Sequence, residues 1–217
     1  MKISKTSLCL LAALFLTTLA SCACEEDEFG DVLEMEIPVD IGRRENIYQV
    51  GDTLWVVADF PKFVKVVGNQ NDIELVDHKF FSSLYISLIS ESQLRTYTTS
   101  QVIVERGSVE INQLGGYDYL FEETEFGYAV RFGIVLVAPG DYSTTSISGE
   151  EQGTYRHPTY YSCKNNLRKN VFINRINRFS TMDNFNDFLA WDQVAGDFVQ
   201  TYEGYLLGGK FTFRVVE

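Results

Sequence analysis

The sequence predicts an all-β protein, an antiparallel β-sandwich with one short helix near the C-terminus. Three observations predict it. Apolar and polar residues alternate with period two along most of the chain. Aromatic residues make up 14% of the 217 residues, and β-branched residues are frequent; both pack well on a pleated, half-buried surface. Turn signals separate the alternating runs every 8–15 residues or so, without an internal repeat or a Pro-rich linker.

Val32 to Ile41 places Leu33, Met35, Ile37, Val39 and Ile41 on one face. Pro38 cannot donate to a ladder, so this run is expected at a sheet edge. Gly51-Asp52 supplies turn chemistry just before Thr53 to Phe60, where Leu54, Val56, Ala58 and Phe60 share a face. Trp55 lies opposite them, facing either solvent or a second packed layer. Lys79 to Ser90 reads as one long strand, with Phe80, Leu84, Ile86 and Leu88 on one side and Phe81, Tyr85 and Ile89 on the other. Gln101 to Arg106 and Ser108 to Leu114 read as a hairpin around Gly107, and Tyr117 to Glu122 as a shorter strand.

The clearest core strand is Tyr128 to Val137, where Tyr128, Val130, Phe132, Ile134 and Leu136 alternate with smaller or polar residues. A turn, Pro139-Gly140-Asp141, leads directly into Tyr142 at the head of another strand. That arrangement resembles the tyrosine corner of immunoglobulin-like sandwiches; a plain β-turn followed by a half-buried tyrosine is the other reading. Leu167 to Ile176 is strand-like, and Lys210 to Val216 closes the chain with Phe211, Phe213 and Val215 inward and Lys210, Thr212 and Arg214 outward. Ser180-Thr181-Met182-Asp183 resembles a capping box ahead of Met182, Phe185, Phe188 and Leu189 at helical spacing. Trp191 extends that face, and the helix is expected over one end of the sandwich.

The N-terminus reads differently. Lys2 and Lys5 precede an apolar run from Leu8 to Leu19, too short to span a bilayer and of signal-peptide length. Leu19-Ala20-Ser21-Cys22 resembles the bacterial lipoprotein signal closely. It implies cleavage after residue 21 and lipid on Cys22, with acyl chains holding the protein to a membrane. Glu25-Glu26-Asp27-Glu28 follows; residues 22–31 are expected to form an acidic tether and residues 32–217 a single domain. Cys24 and Cys163 either form a disulfide or stay free.

Much chemistry is excluded. With 30 acidic against 18 basic residues, a net charge of −12 repels phosphates, so nucleic acid is not an expected partner. His78 and His157 have no second ligand at zinc spacing, no metal ligand is assigned, and nothing requires a cofactor. Asn69, Asn71, Asp72 and Glu74 lack the spacing of a calcium loop and read as a solvated turn. His157 near Cys163 suggests a dyad, but Ser162-Cys163-Lys164-Asn165 lacks nucleophile chemistry. No serine sits in a nucleophile elbow, so no catalytic residue is named and an enzyme is not expected. Lys164, Arg168, Lys169, Arg175 and Arg178 form the one sizeable basic cluster, expected to pair with surrounding acids on a solvent-facing strand.

Aromatic side chains remain. Flat rings stack on pyranose faces while polar neighbours read hydroxyls. Tyr155, Tyr160 and Tyr161, in a polar stretch, are the leading ligand-binding candidates and Trp191 is next, with ordinary packing the favoured reading at each.

The Cys22 signal, the acidic run, Gly51-Asp52-Thr53-Leu54-Trp55-Val56, Phe132-Gly133-Ile134-Val135-Leu136 and Phe211-Thr212-Phe213-Arg214-Val215 together resemble the surface lipoproteins common in Bacteroidota. The resemblance is specific in the leader and loose in the β domain. It implies an outer-membrane protein, lipid-anchored and exposed at the cell surface. That group brings no established activity, so no functional residue carries over. The expected function is a non-catalytic surface binding module for glycan or protein. The alternative is a structural or adhesive accessory subunit of a surface assembly.

Overall fold

Alternation becomes burial. In a computed structural model, which describes residues 33–65, 72–89, 95–148, 152–156, 171–192 and 199–217, the long runs each turn one face into a common core. In chain order the strands are β1 (Leu33–Ile41), β2 (Ile47–Gln49), β3 (Thr53–Pro61), β4 (Phe63–Lys65), β5 (Asp72–Lys79), β6 (Phe81–Ile89), β7 (Arg95–Tyr97) and β8 (Val102–Arg106). They continue with β9 (Ser108–Ile111), β10 (Tyr117–Leu120), β11 (Glu122–Glu123), β12 (Gly127–Val135), β13 (Gly140–Ser148), β14 (Gln152–Arg156), β15 (Val171–Asn177) and β16 (Thr212–Val216). Two helices, α1 (Met182–Trp191) and α2 (Tyr202–Leu207), lie between β15 and β16.

One sheet runs β11-β12-β3-β1-β15, with β8 also on β12. A second runs β2-β16-β13-β6-β10-β9, with β7 also on β6, and a small third sheet runs β14-β5-β4. The core is shared: Met35, Ile37, Leu54, Val56, Phe132 and Ile134 of the first sheet and Leu84, Ile86, Tyr117, Tyr119, Phe213 and Val215 of the second form one cluster. The fold is mostly β and sandwich-like. It is not purely antiparallel, because β1 pairs with β15 and β2 with β16 in parallel.

The corners depart most from sequence expectation. Gly107 is no hairpin tip: β8 pairs with β12 in the first sheet, while β9 pairs with β10 in the second. Gly107 (φ 78°) turns the chain between sheets, and a Cβ there would lie 2.3 Å from the Leu120 carbonyl oxygen. Likewise the run from Lys79 to Ser90 is not one strand. It breaks at Phe80, where β5 of the small sheet gives way to β6 of the second. A third crossing at Phe121 separates β10 from β11, and the Phe121 N–H bonds the Phe80 carbonyl at 3.1 Å. Phe80 and Phe60 each meet Phe121 and Tyr128, and each other, at 4.8–5.8 Å between ring centres, so an aromatic plug fills the seam where strands change sheets.

Nor is β1 an edge strand, since it lies between β3 and β15. Its pairing with β3 is confined to Asp40 and Ile41, so the missing donor of Pro38 falls outside that ladder. Asp72 and Glu74, expected in a solvated turn, are strand residues of β5 opposite Lys65 and Phe63.

The helical region also differs. The box closes one residue later than expected: Thr181 is the N-cap of α1, its N–H donating to Asn184 Oδ1 at 2.8 Å. Among the described residues two helices stand where one was expected; α1 lies against the outer face of β16 and α2 against β15, with Tyr205 reaching Thr212. Phe185, Phe188 and Tyr205 form a second small core there, with Met182 exposed. Asn184 Nδ2 donates to the Thr212 carbonyl and the Tyr205 hydroxyl to Thr212 Oγ1, both at 3.0 Å. Thr212 and Lys210 are therefore buried, not solvent-facing. Burial lowers the Lys210 pKa, and its ammonium donates to Thr145 Oγ1 at 3.0 Å.

Tyr142 is buried, and its hydroxyl donates to the Ala138 carbonyl at 3.0 Å, bracing the turn ahead of β13. Burial, and secondarily Tyr97, pushes its pKa up to about 12, so it remains a neutral donor at neutral pH. Tyr142→Phe leaves the Ala138 carbonyl without this donor, and is expected to cost about 1 kcal/mol in urea unfolding. An unchanged midpoint would show that the turn holds without the bond.

Candidate functional site

The sequence-predicted aromatics do not assemble. Tyr160, Tyr161, Cys22, Cys24, His157 and Cys163 lie outside the described residues. Tyr155 falls in β14 with its backbone opposite Leu75. Trp191 ends α1, half-buried, with the Arg214 guanidinium 4.8 Å from its ring centre. Arg214 is held in turn by both Asp141 oxygens, at 2.6 and 3.0 Å, which raises its already high pKa. Asn46 donates to Asp187 nearby, and desolvation raises the Asp187 pKa against that bond. One face of Trp191 is thus occupied by the protein itself.

A concave feature forms at Trp55 instead. Gly42, Arg43, Tyr48, Gly51, Asp52, Thr53 and Trp55 line a groove of about 400 Å³. Its position follows from β3. Leu54 and Val56 point into the core, so Trp55 points to the outer face, where it is half-buried. Directly across the ladder is Gly133, and beyond it Ile103 of β8. The ring lies over the glycine: a Cβ on Gly133 would come within 3.2 Å of Trp55 Cε3 and 2.4 Å of Thr53 Cγ2. Arg131 places its guanidinium 4.8 Å from the ring centre and pairs with Glu105.

The other wall is the Arg43–Asp52 pair at 3.3 Å. Both side chains are partly exposed, so the pair adds little to stability; its value is positional. Asp52 Oδ2 also accepts the Gln49 N–H at 2.9 Å, fixing the carboxylate on its turn. Arg43 donates to the Ile47 carbonyl at 2.5 Å and stacks its guanidinium 4.3 Å from the Tyr48 ring centre. Tyr48 is the floor, packed edge-on against Phe211 and Phe213. Its hydroxyl is buried without a hydrogen-bond partner among the described residues, as is that of Tyr119 in the core. Desolvation raises the Tyr48 pKa; the charge and nearby backbone of Arg43 oppose the rise.

Sequence reasoning had the parts but not the assembly. Asp52 read as turn chemistry and Trp55 as a residue off the core face. The available signal was their order: a Gly-Asp turn immediately before an outward tryptophan. Arg131 and Gly133 come from β12, and nothing local announces that they meet Trp55. Arg178, from the expected basic cluster, does pair with an acid: Asp40 holds it through two bonds of 2.8 Å.

Among the described residues, no group of three or more His, Cys, Asp or Glu could hold a metal ion, and no helix is long and apolar enough to cross a membrane. No protein-family model and no curated protein matches the chain.

Proposed function

We propose that this protein is a non-catalytic binding module, anchored to the outer membrane through lipid on Cys22 and displayed at the surface of a Bacteroidota cell. One observation supports the binding reading above others: an outward tryptophan flanked by a concave, preorganised Arg–Asp wall, the arrangement that aromatic stacking with polar readout requires. Glycan is the ligand that uses both features. The Tyr142 bond to Ala138 supports an immunoglobulin-like assignment for the sandwich.

A glycan-array screen of the protein tests the reading. Binding is expected for the wild type and for Tyr160→Ala and Tyr161→Ala, with loss in Trp55→Ala. Binding that needs Tyr160 or Tyr161 and not Trp55 would move the site to the polar stretch read from the sequence. No glycan binding at all would favour the second reading, a structural subunit of a surface assembly.

A specific feature supports that alternative. β8 and β9 run consecutively around Gly107 as an exposed edge, each paired on one side only among the described residues, with Ile103, Val104 and Ile111 exposed. Such an edge accepts an added strand.

The anchor makes its own prediction. Cys22→Ala is expected to shift the protein from the membrane fraction to the soluble fraction and to abolish labelling by a fatty-acid analogue, because attachment rests on acyl chains. Unchanged fractionation would refute lipid anchoring at this residue.

A further inference from the structure

We infer that the groove beside Trp55 takes a neutral pyranose carrying adjacent hydroxyls, and discriminates against charged sugars; this rests on the glycan-binding reading above. Three features of the site lead there.

The first is charge. Trp55 has an ion pair on either side, Arg43–Asp52 lining the groove with it and Arg131–Glu105 against its ring. Each pair cancels locally, so the groove offers polar atoms without net charge. A uronate entering beside Arg43 has either to displace Asp52 or to lie against it, like charge to like. The chain's net charge of −12 adds to that repulsion. An amino sugar meets the mirror problem at Arg43 and Arg131.

The second is unused hydrogen-bonding capacity. Asp52 spends Oδ2 on the Gln49 N–H and Arg43, and its Oδ1 has no partner among the described residues. Arg43 spends Nη2 on Ile47 and Asp52, leaving Nη1 and Nε unpartnered among the described residues. One open acceptor beside open donors fits two neighbouring hydroxyls: one donates to the carboxylate, the other accepts from the guanidinium. The indole then faces the apolar side of the sugar ring.

The third is rigidity. The Tyr48 ring and the Ile47 carbonyl hold Arg43, and the Gln49 N–H holds Asp52, so little ordering remains to be done on binding.

Calorimetric titration of the protein with maltohexaose, cellohexaose and mannohexaose, against hexagalacturonate and a glucosamine hexamer, tests the inference. At least one neutral probe should saturate, and neither charged probe should. Asp52→Asn keeps an acceptor for Gln49 while removing the charge; with Arg43→Gln it should weaken neutral binding about tenfold or more each. Matching urea midpoints would confirm that both variants stay folded. Preference for hexagalacturonate or the glucosamine hexamer, or neutral binding indifferent to both substitutions, would overturn the inference and leave glycan binding standing. Saturation by no neutral probe would also overturn it; the array then decides separately whether the broader reading survives.

Discussion

Phe213→Ala is expected to lower the unfolding free energy by about 3–5 kcal/mol, among the largest single effects in the molecule. Phe213 is fully buried, centred 5.4 Å from Tyr142 in a stacked pair, 5.7 Å from Phe211 and 5.3 Å from Tyr48. Truncation removes transfer energy and leaves a cavity between two sheets whose strands are tied by ladders and cannot easily close on it. Domains of this kind are stabilised by about 5–15 kcal/mol in total, so the variant should sit near the limit of folding. Urea unfolding should show a sharply lower midpoint at an unchanged slope. The control is Phe126→Ala: that side chain is 80% exposed, and its loss should leave the midpoint where it was. A loss below about 1 kcal/mol for Phe213→Ala would mean that the Phe213 ring is not packed between the sheets as described. The effect also reaches the site, because Phe213 backs Tyr48 and Tyr48 carries Arg43.

Trp55→Ala should show the opposite profile: a small change in stability and a large one in binding. The ring is half-buried on an outer face and rests on a glycine, so the core does not depend on it. Truncation should cost no more than about 1 kcal/mol of unfolding free energy. Buried interface tryptophans typically carry about 2 kcal/mol or more of binding energy, so affinity for the best array glycan should fall about thirtyfold. Trp55→Phe, which keeps a flat ring, should recover part of it. Equal affinity in wild type and Trp55→Ala would remove the platform from the account.

What the sequence made legible was side-chain direction. Every residue assigned inward on β1 from Met35 on, and those on β3, β12 and the closing strand, is buried, because a period of two forces alternate faces whatever the pairing. Partnership was not legible. Alternation on both sides of Gly107 looks the same whether the glycine closes a hairpin or turns a corner, and Phe80 is buried whether its strand continues or breaks. The three-residue strands β2, β4 and β7 are too short to show a period. The same holds for α2, six residues long with Gly204 inside it. Lys210 and Thr212 read as outward because nothing local in the sequence shows that the helical segment docks on that face of the closing strand. The site was hidden for a related reason. Arg43, Asp52 and Trp55 are near neighbours in sequence, yet the Gly133 gap that lets the indole lie flat belongs to another strand.

The most direct test uses the two tryptophans as reporters. The sequence holds only Trp55 and Trp191, so a ¹⁵N–¹H spectrum resolves two indole N–H signals, assigned with Trp55→Phe. Titration with the best array glycan should shift the Trp55 signal saturably and leave Trp191, which does not line the groove, in place. Saturable binding that moves Trp191, or neither indole, would contradict a ligand site at Trp55.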